Sequence, residues 1–265
     1  MSPRSHIEAL DRSLQIAKHL GFKPGHHLNR PVLRHPDLQS NNTILSESLD
    51  IVGLVDWQHG TIAPLSLAAG IPHHFQNYED PESERLAKPA RDLPPNFNSL
   101  DPAQQIASKD LHIRRLTHFL YAALTLNHNP EHYDAIFDKS VILLQRLYKT
   151  AGSAWEGDSI TLAAELINAL QNWAELARVH ESPAPLTYSE TDVHAILNLH
   201  ARQQEMDTVM DQMRATLGVD VYGWTSNEDY EATKAMARDI KDKMIPHHRE
   251  NIRRHFPFDD FDEDA

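Results

Sequence analysis

The chain has 265 residues, 25 Lys+Arg against 38 Asp+Glu for a formal charge of −13, and no cysteine. That length allows one large domain or two small ones, each with a core, and the missing thiols exclude a disulfide scaffold, a thiolate zinc site and a cysteine nucleophile. The acidic balance argues against a nucleic-acid groove or an anionic membrane surface as partner, and no apolar run approaches the ~20 residues that span a bilayer.

The N-terminal MSPRSHIEAL lacks a signal-peptide core, and the expected location is intracellular, cytoplasmic or mitochondrial rather than secreted. A helix is predicted from Ser5, with Ser5 and Glu8 as a capping box, Ile7, Leu10, Leu14, Ala17 and Leu20 on one face, and Gly21 as its stop. Val32 and Leu33 lead into the polar loop RHPDLQSNN. Thr43–Leu45 and Ile51–Val55, two short β-branched runs about a polar turn, predict a β-hairpin, the one clear strand signal in the chain. Residues 79–102 hold five of the sixteen prolines and read as a long surface excursion.

Asp101-Pro102 then opens a helix carrying Ile106, Leu111, Ile113, Leu116, Leu120 and Leu124. A second is expected through Ile136, Phe137, Val141, Leu144, Leu147 and Tyr148 to Gly152, and a third from Asp158 through Leu162, Leu166 and Leu170 to Trp173. A fourth runs from Ser189 through Val193, Leu197, Met206, Met210 and Met213 to Gly218, and a last one starts at Ser226. The three methionines share a face and read as core packing. The expectation is a mainly α body over residues 1–255 with one small hairpin, followed by an acidic disordered tail at 256–265 that supplies five of the negative charges.

Chemistry concentrates in His35-Pro36-Asp37-Leu38-Gln39-Ser40-Asn41-Asn42 and Ile51–Gln58. The hairpin should return Asp56 beside Asn42, and an amide oxygen next to a carboxylate is an oxygen-rich site suited to Mg²⁺. Asp37 lies close enough in sequence to orient a hydroxyl attacking a γ-phosphate. The histidine pairs 26–27, 73–74 and 247–248 lack metal-ligand spacing and read as solvated. Trp57 reads as packing under the loop rather than stacking on a ligand.

These residues resemble a family. HPDLQSNN fits the H-x-D-x-x-x-x-N loop of the kinase-like superfamily, and Leu54-Val55-Asp56-Trp57-Gln58 fits its metal-binding segment. The Asp-Trp pair looks like the aminoglycoside phosphotransferase and choline kinase branch. The run Asp56–Leu65, with LPPNF, Ala151–Trp155 and Gly223-Trp224, is similar to a fungal subgroup, the altered-inheritance-of-mitochondria phosphotransferases. The resemblance implies Asp37 as catalytic base, His35 as the residue holding the loop, Asn42 and Asp56 as Mg²⁺ ligands, ATP as phosphoryl donor, and a small-molecule hydroxyl as acceptor. It departs at Asn41, where the family has Gly; Asn is the residue that best replaces Gly if a positive φ is needed.

A kinase-like N-lobe takes on the order of 70 residues, whereas 36 precede Asp37, and neither G-x-G-x-x-G nor a lysine in a strand pattern occurs. The expected architecture is therefore a kinase-like C-lobe with the N-lobe absent. The expected function is a truncated or degenerate phosphotransferase, weak or inactive alone, with a non-catalytic helical interaction module as the alternative. A metal-dependent hydrolase using Asp37 and Asp56 is a third reading.

Overall fold

A computed structural model describes residues 3–78, 80–153, 158–176, 183–244 and 258. It divides into two compact units, Met1–Ser189 and Glu190–Ala265. Helices dominate both, and among the described residues the strands form only two two-stranded sheets.

In the first unit, α1 (Pro3–Ala17) precedes β1 (Pro31–Arg34), β2 (Thr43–Leu45), β3 (Ile51–Leu54), β4 (Thr61–Pro64) and the single turn α2 (Leu65–Ala68). The predicted hairpin is β2–β3, pairing Thr43 with Leu54 and Ile44 with Gly53, with an irregularity before Leu45. The lead-in at Val32-Leu33 is more than expected: β1 pairs antiparallel with β4, Pro31 opposite Pro64 and Arg34 opposite Thr61. This ladder escapes sequence reading because four-residue strands 26 residues apart carry little periodicity of their own. The two prolines sit at its end, where a missing donor is tolerated.

Helix α1 begins two residues before the expected cap, so Ser5 lies within it. Its buried face is Ala9, Ser13 and Ile16, while Ile7 and Leu14 are exposed. The small residues let the helix seat against α7 (Ser159–Gln171) and α6 (Lys139–Gly152), with the Ser13 hydroxyl donating to Leu10 O at 2.7 Å. Ile16 joins Leu143, Leu144, Leu147, Leu162, Leu166 and Trp173 in the larger core. Each such burial contributes on the order of 1.5–3 kcal/mol.

The excursion contains the turn α3 (Pro81–Glu84), capped by Asp80, and is pinned to α4 (Pro102–His128) by Arg115, whose Nε and Nη2 bind Asp80 at 2.9 and 2.6 Å. Asp101 and Gln104 form a full capping box on α4. Its expected apolar face is not its buried one: His118 and Ala122 are buried, and Ile106, Ile113, Leu116, Leu120 and Leu124 are exposed. The expected second helix is two, α5 (Pro130–Phe137) and α6, because extended Asp138 ends the first and caps the second by accepting from Ser140 N–H at 2.7 Å and Val141 N–H at 3.2 Å. The third helix stops at Gln171, and α8 (Trp173–Leu176) follows as a separate turn. A second core, with Leu28, Leu65, Ile71, Ala135, Ile136 and Val141, lies among the β1/β4 ladder, α2, α5 and α6.

The second unit pairs α9 (Glu190–Leu217) with α10 (Tyr230–Met244) around Leu217 and Ala237, with Met213, Ile240 and Phe258 packed on them. Of the methionine face only Met213 joins this cluster, and Met206 is exposed. The last helix starts four residues after Ser226, whose hydroxyl bonds Asp229 at 2.7 Å. The acidic tail, apart from Phe258, and His247-His248 lie outside the described residues, as do positions 154–155.

Candidate functional site

The four strands are nested: β2–β3 lies inside β1–β4 in sequence, so two loops face each other between the ladders. One is His35–Asn42, leaving β1; the other is Val55–Gly60, returning to β4. The seam is closed by direct bonds. His35, buried, donates from Nε2 to Val55 O at 2.8 Å and accepts the Asp37 N–H on Nδ1 at 3.2 Å, so its two neighbours fix its tautomer. The Trp57 indole stands edge-on to the His35 ring at 4.7 Å and donates to Leu54 O at 3.0 Å. Through these bonds His35 ties the His35–Asn42 loop to the Val55–Gly60 loop, and Trp57 packs against it.

Asn42 is buried at the end of a tight turn over Ser40–Asn42. Its Nδ2 donates to Asp37 O at 2.8 Å and to Asp37 Oδ2 at 3.0 Å, and its carbonyl accepts the Val55 N–H at 3.0 Å. Asn42 is therefore fixed against the residue before Asp56, as the hairpin argument requires. Asn41, in the turn, has no positive φ. The departure from Gly at that position thus costs the loop no left-handed strain. The left-handed residues stand opposite instead: Asp56 has φ 63° and His59 φ 64°. Asp tolerates this region better than most residues, and such backbone clusters where a side chain must be aimed. Gly60 is needed for a different reason, since a Cβ there would lie 2.9 Å from Trp57 O.

Asp37 is the most heavily bonded group of the site. Gln39 Nε2 and Asn42 Nδ2 both donate to its Oδ2, and His74 Nε2 lies 3.2 Å from its Oδ1. The hydrogen bond from Gln39, then that from Asn42 and the charge of His74, hold its carboxyl below the usual range. Asp37 is thus ionised at neutral pH.

Of the histidine pairs read as solvated, His27, His73 and His74 are exposed and His26 is half-buried, while two histidines outside those pairs, His118 and His132, are buried. His74 contacts Asp37. His118 is 1% exposed, takes the Asn77 N–H on Nδ1 at 3.0 Å and bonds the Phe75 backbone with its other side. Buried His132 accepts from Arg34 Nη1 at 3.0 Å, and Arg34 also binds Gly70 O. Burial first, then the Arg34 charge, lowers the pKa of His132. His26 stacks on Phe22 and His27. His74 was invisible in sequence because its partner is 37 residues away; Gln39 lay inside the motif unassigned.

The donors offered to a cation are the amide oxygen of Asn42, whose nitrogen is occupied by Asp37, and the exposed carboxylate of Asp56. An amide oxygen and a carboxylate oxygen are both hard donors, the ligand type that Mg²⁺ takes. No group of three or more His, Asp or Glu side chains able to hold a metal occurs among the described residues. An open cleft of about 1020 Å³ adjoins the loop, lined by His35, Pro36, Thr61, His73, Tyr78 and Lys149 among others.

The chain is similar to two curated proteins, both named subtelomeric hrmA-associated cluster proteins, from two strains of Aspergillus fumigatus. Each is 27% identical over 244 residues, covering 92% of this chain and 47% of the relative. The chain spans about half the length of the curated relatives it matches. No family model matches it, and neither does any solved structure.

Proposed function

We propose that this chain carries the phosphoryl-transfer loops of an ATP- and Mg²⁺-dependent phosphotransferase of the aminoglycoside phosphotransferase and choline kinase type, acting on a small-molecule hydroxyl. The observation that carries the reading is the seam itself. Asp37, Asn42 and Asp56 are spaced as in that family, and Asn42 bonds both Asp37 and the backbone of Val55, the residue before Asp56.

The roles follow from the chemistry of each group. Asn42 and Asp56 would hold Mg²⁺, which when bound neutralises charge on the phosphates of the donor. Asp37, ionised, with two donors on Oδ2 and His74 against Oδ1, would orient the acceptor hydroxyl. His35 and Trp57 lock the spacing of the loops, so that the acceptor oxygen need not be positioned at the moment of reaction. The cleft beside His35 and Pro36 is the place for the acceptor.

The same arrangement leaves a wide apolar surface uncovered. Ile51 is 69% exposed, and Ile44, Leu45, Leu49 and Val52 of the hairpin are exposed with it. Such a ribbon favours the reading in which this chain is one part of a larger catalytic body, with little turnover by itself. A thermal-shift titration with ATP and Mg²⁺ tests the proposal. A nucleotide-dependent rise in melting temperature, abolished in Asp56→Ala, supports it. The absence of any rise, with Asp56→Ala melting alike under all conditions, leaves the helical interaction module as the function.

A further inference from the structure

We infer that a second cavity, between β1 and the corner of α4 and α5, binds the phosphate group of a small organic monoester through Arg34. It is separate from the phosphoryl-transfer loops and does not depend on their reading. The cavity holds about 400 Å³, enough for a small molecule, and no Asp or Glu lines it. Arg30, Val32 and Arg34 alternate along the strand and so face it together, with Leu65 adding to its apolar side.

The charge on Arg34 carries the argument. Its guanidinium is half-buried, and its two bonds go to neutral acceptors. Nη1 donates to His132 Nε2 at 3.0 Å, and Nη2 donates to Gly70 O. An imidazole nitrogen that accepts is unprotonated, and burial with the nearby Arg34 charge keeps His132 in that form. No carboxylate pairs with Arg34 among the described residues, whereas Arg115 meets Asp80 and Glu82, and Arg146 meets Glu165. A cation withdrawn from water without a counter-charge is costly, and an anion in the cavity removes that cost. Three of the five guanidinium N–H groups are still free to bind it.

The other polar groups of the cavity suit a phosphate. Asn129 Oδ1 is taken by the His132 N–H at 3.3 Å, which leaves its NH₂ as a donor, and the Thr125 hydroxyl is a further one. Arg30 adds a second positive charge, its ion pair with Glu131 being half exposed and open to exchange. Donors on several sides and two arginines match a tetrahedral dianion better than a flat carboxylate, which one guanidinium fork satisfies. The apolar side chains beside them receive the organic part of the ester. Arg34 also lines the larger cleft, but Glu84 lines that cleft too, so the anion is placed in the smaller cavity.

The test titrates the intact protein with phenyl phosphate, inorganic phosphate and benzoate, by calorimetry and by backbone amide shifts. Saturable binding of phenyl phosphate is expected, tighter than that of benzoate, with shifts at Leu124 and Thr125 and none at Lys149 in the larger cleft. Inorganic phosphate separates the sources: weaker binding than the ester assigns an organic ligand, and equal binding overturns that part of the inference. Arg34→Gln should abolish binding. Because that variant also loses the bonds to His132 and Gly70 O, exposed Leu124 on the cavity wall provides a second one. Leu124→Glu should weaken phenyl phosphate by about tenfold or more, through repulsion at close range. Ile113→Glu, equally exposed on the same helix but three turns away, carries the same added charge beyond the screening length and should leave the affinity unchanged. No saturable binding of phenyl phosphate overturns the inference. So do equal affinities in Leu124→Glu and the parent protein, tighter binding of benzoate, or shifts confined to the Lys149 side.

Discussion

The residue that most repays attention outside the facing loops is His118, because it holds the segment that presents His74. Its burial lowers its pKa, with bonding to Phe75 and the charge of Asp80 acting weakly the other way. A histidine whose folded pKa lies below its unfolded value of about 6.5 stabilises fully above that value, and this contribution is lost as pH falls below it, because the unfolded chain then binds the extra proton. His132 acts in the same direction. The expected outcome is a melting temperature that falls between pH 7.5 and pH 5.5, with a shallower slope in His118→Gln. Identical slopes in the two proteins, followed by scanning calorimetry, would show that the His118 ring charges freely in the fold. At this scale the sequence was readable where partners are close in the chain. His35, Asp37 and Asn42 bond one another within eight residues. It was silent on His74 and His118, whose partners lie 37 and 41 residues away, and nothing in a local window marks a histidine as buried.

Among the elements, those with a local stop or cap were legible and those defined by packing were not. The β2–β3 hairpin follows from β-branched runs about a polar turn, and α4 and α7 follow from their Asp caps. The seated face of α1 did not follow: the chain buries Ala9 and Ser13 and leaves the larger Ile7 and Leu14 outside, a choice made by the approach of α6 and α7. The break at Asp138 is the missed cap with the widest consequence. It starts α6, and α6 carries Gln145, whose amide donates to Ser66 O at 2.9 Å and Ala69 O at 2.7 Å under the β1/β4 ladder. Asp138→Ala removes two backbone hydrogen bonds from the first turn of α6 and that of the Ser140 hydroxyl. The expected cost is about 1 kcal/mol in urea unfolding, with the slope against denaturant unchanged. A loss near zero would mean that water caps this turn as well as the carboxylate does.

For the whole molecule, the balance between buried and exposed apolar surface is as informative as the site. Two cores in the first unit absorb the helices, yet the β2–β3 ribbon keeps Ile51, Val52, Ile44 and Leu45 outside, and β4 leaves Ile62 73% exposed. Sequence reading placed Ile44, Leu45, Ile51 and Val52 in strands and could not tell which face would be covered, because both faces of a two-stranded ribbon carry apolar side chains. A hydrophobic ribbon with unpaired edges is prone to associate. The protein should therefore show a weight-average mass that rises with concentration in light scattering. The double substitution Ile51→Thr, Val52→Thr keeps two β-branched residues and so keeps the strand, while removing the apolar contact area. Since both side chains are exposed, each change should alter stability by no more than about 0.5 kcal/mol. The expected result is a flatter mass-versus-concentration curve at an unchanged melting temperature. If association persists undiminished in the double variant, the ribbon is not the sticking surface, and the exposed stripe of α4, with Ile106, Ile113 and Leu124, becomes the one to substitute next.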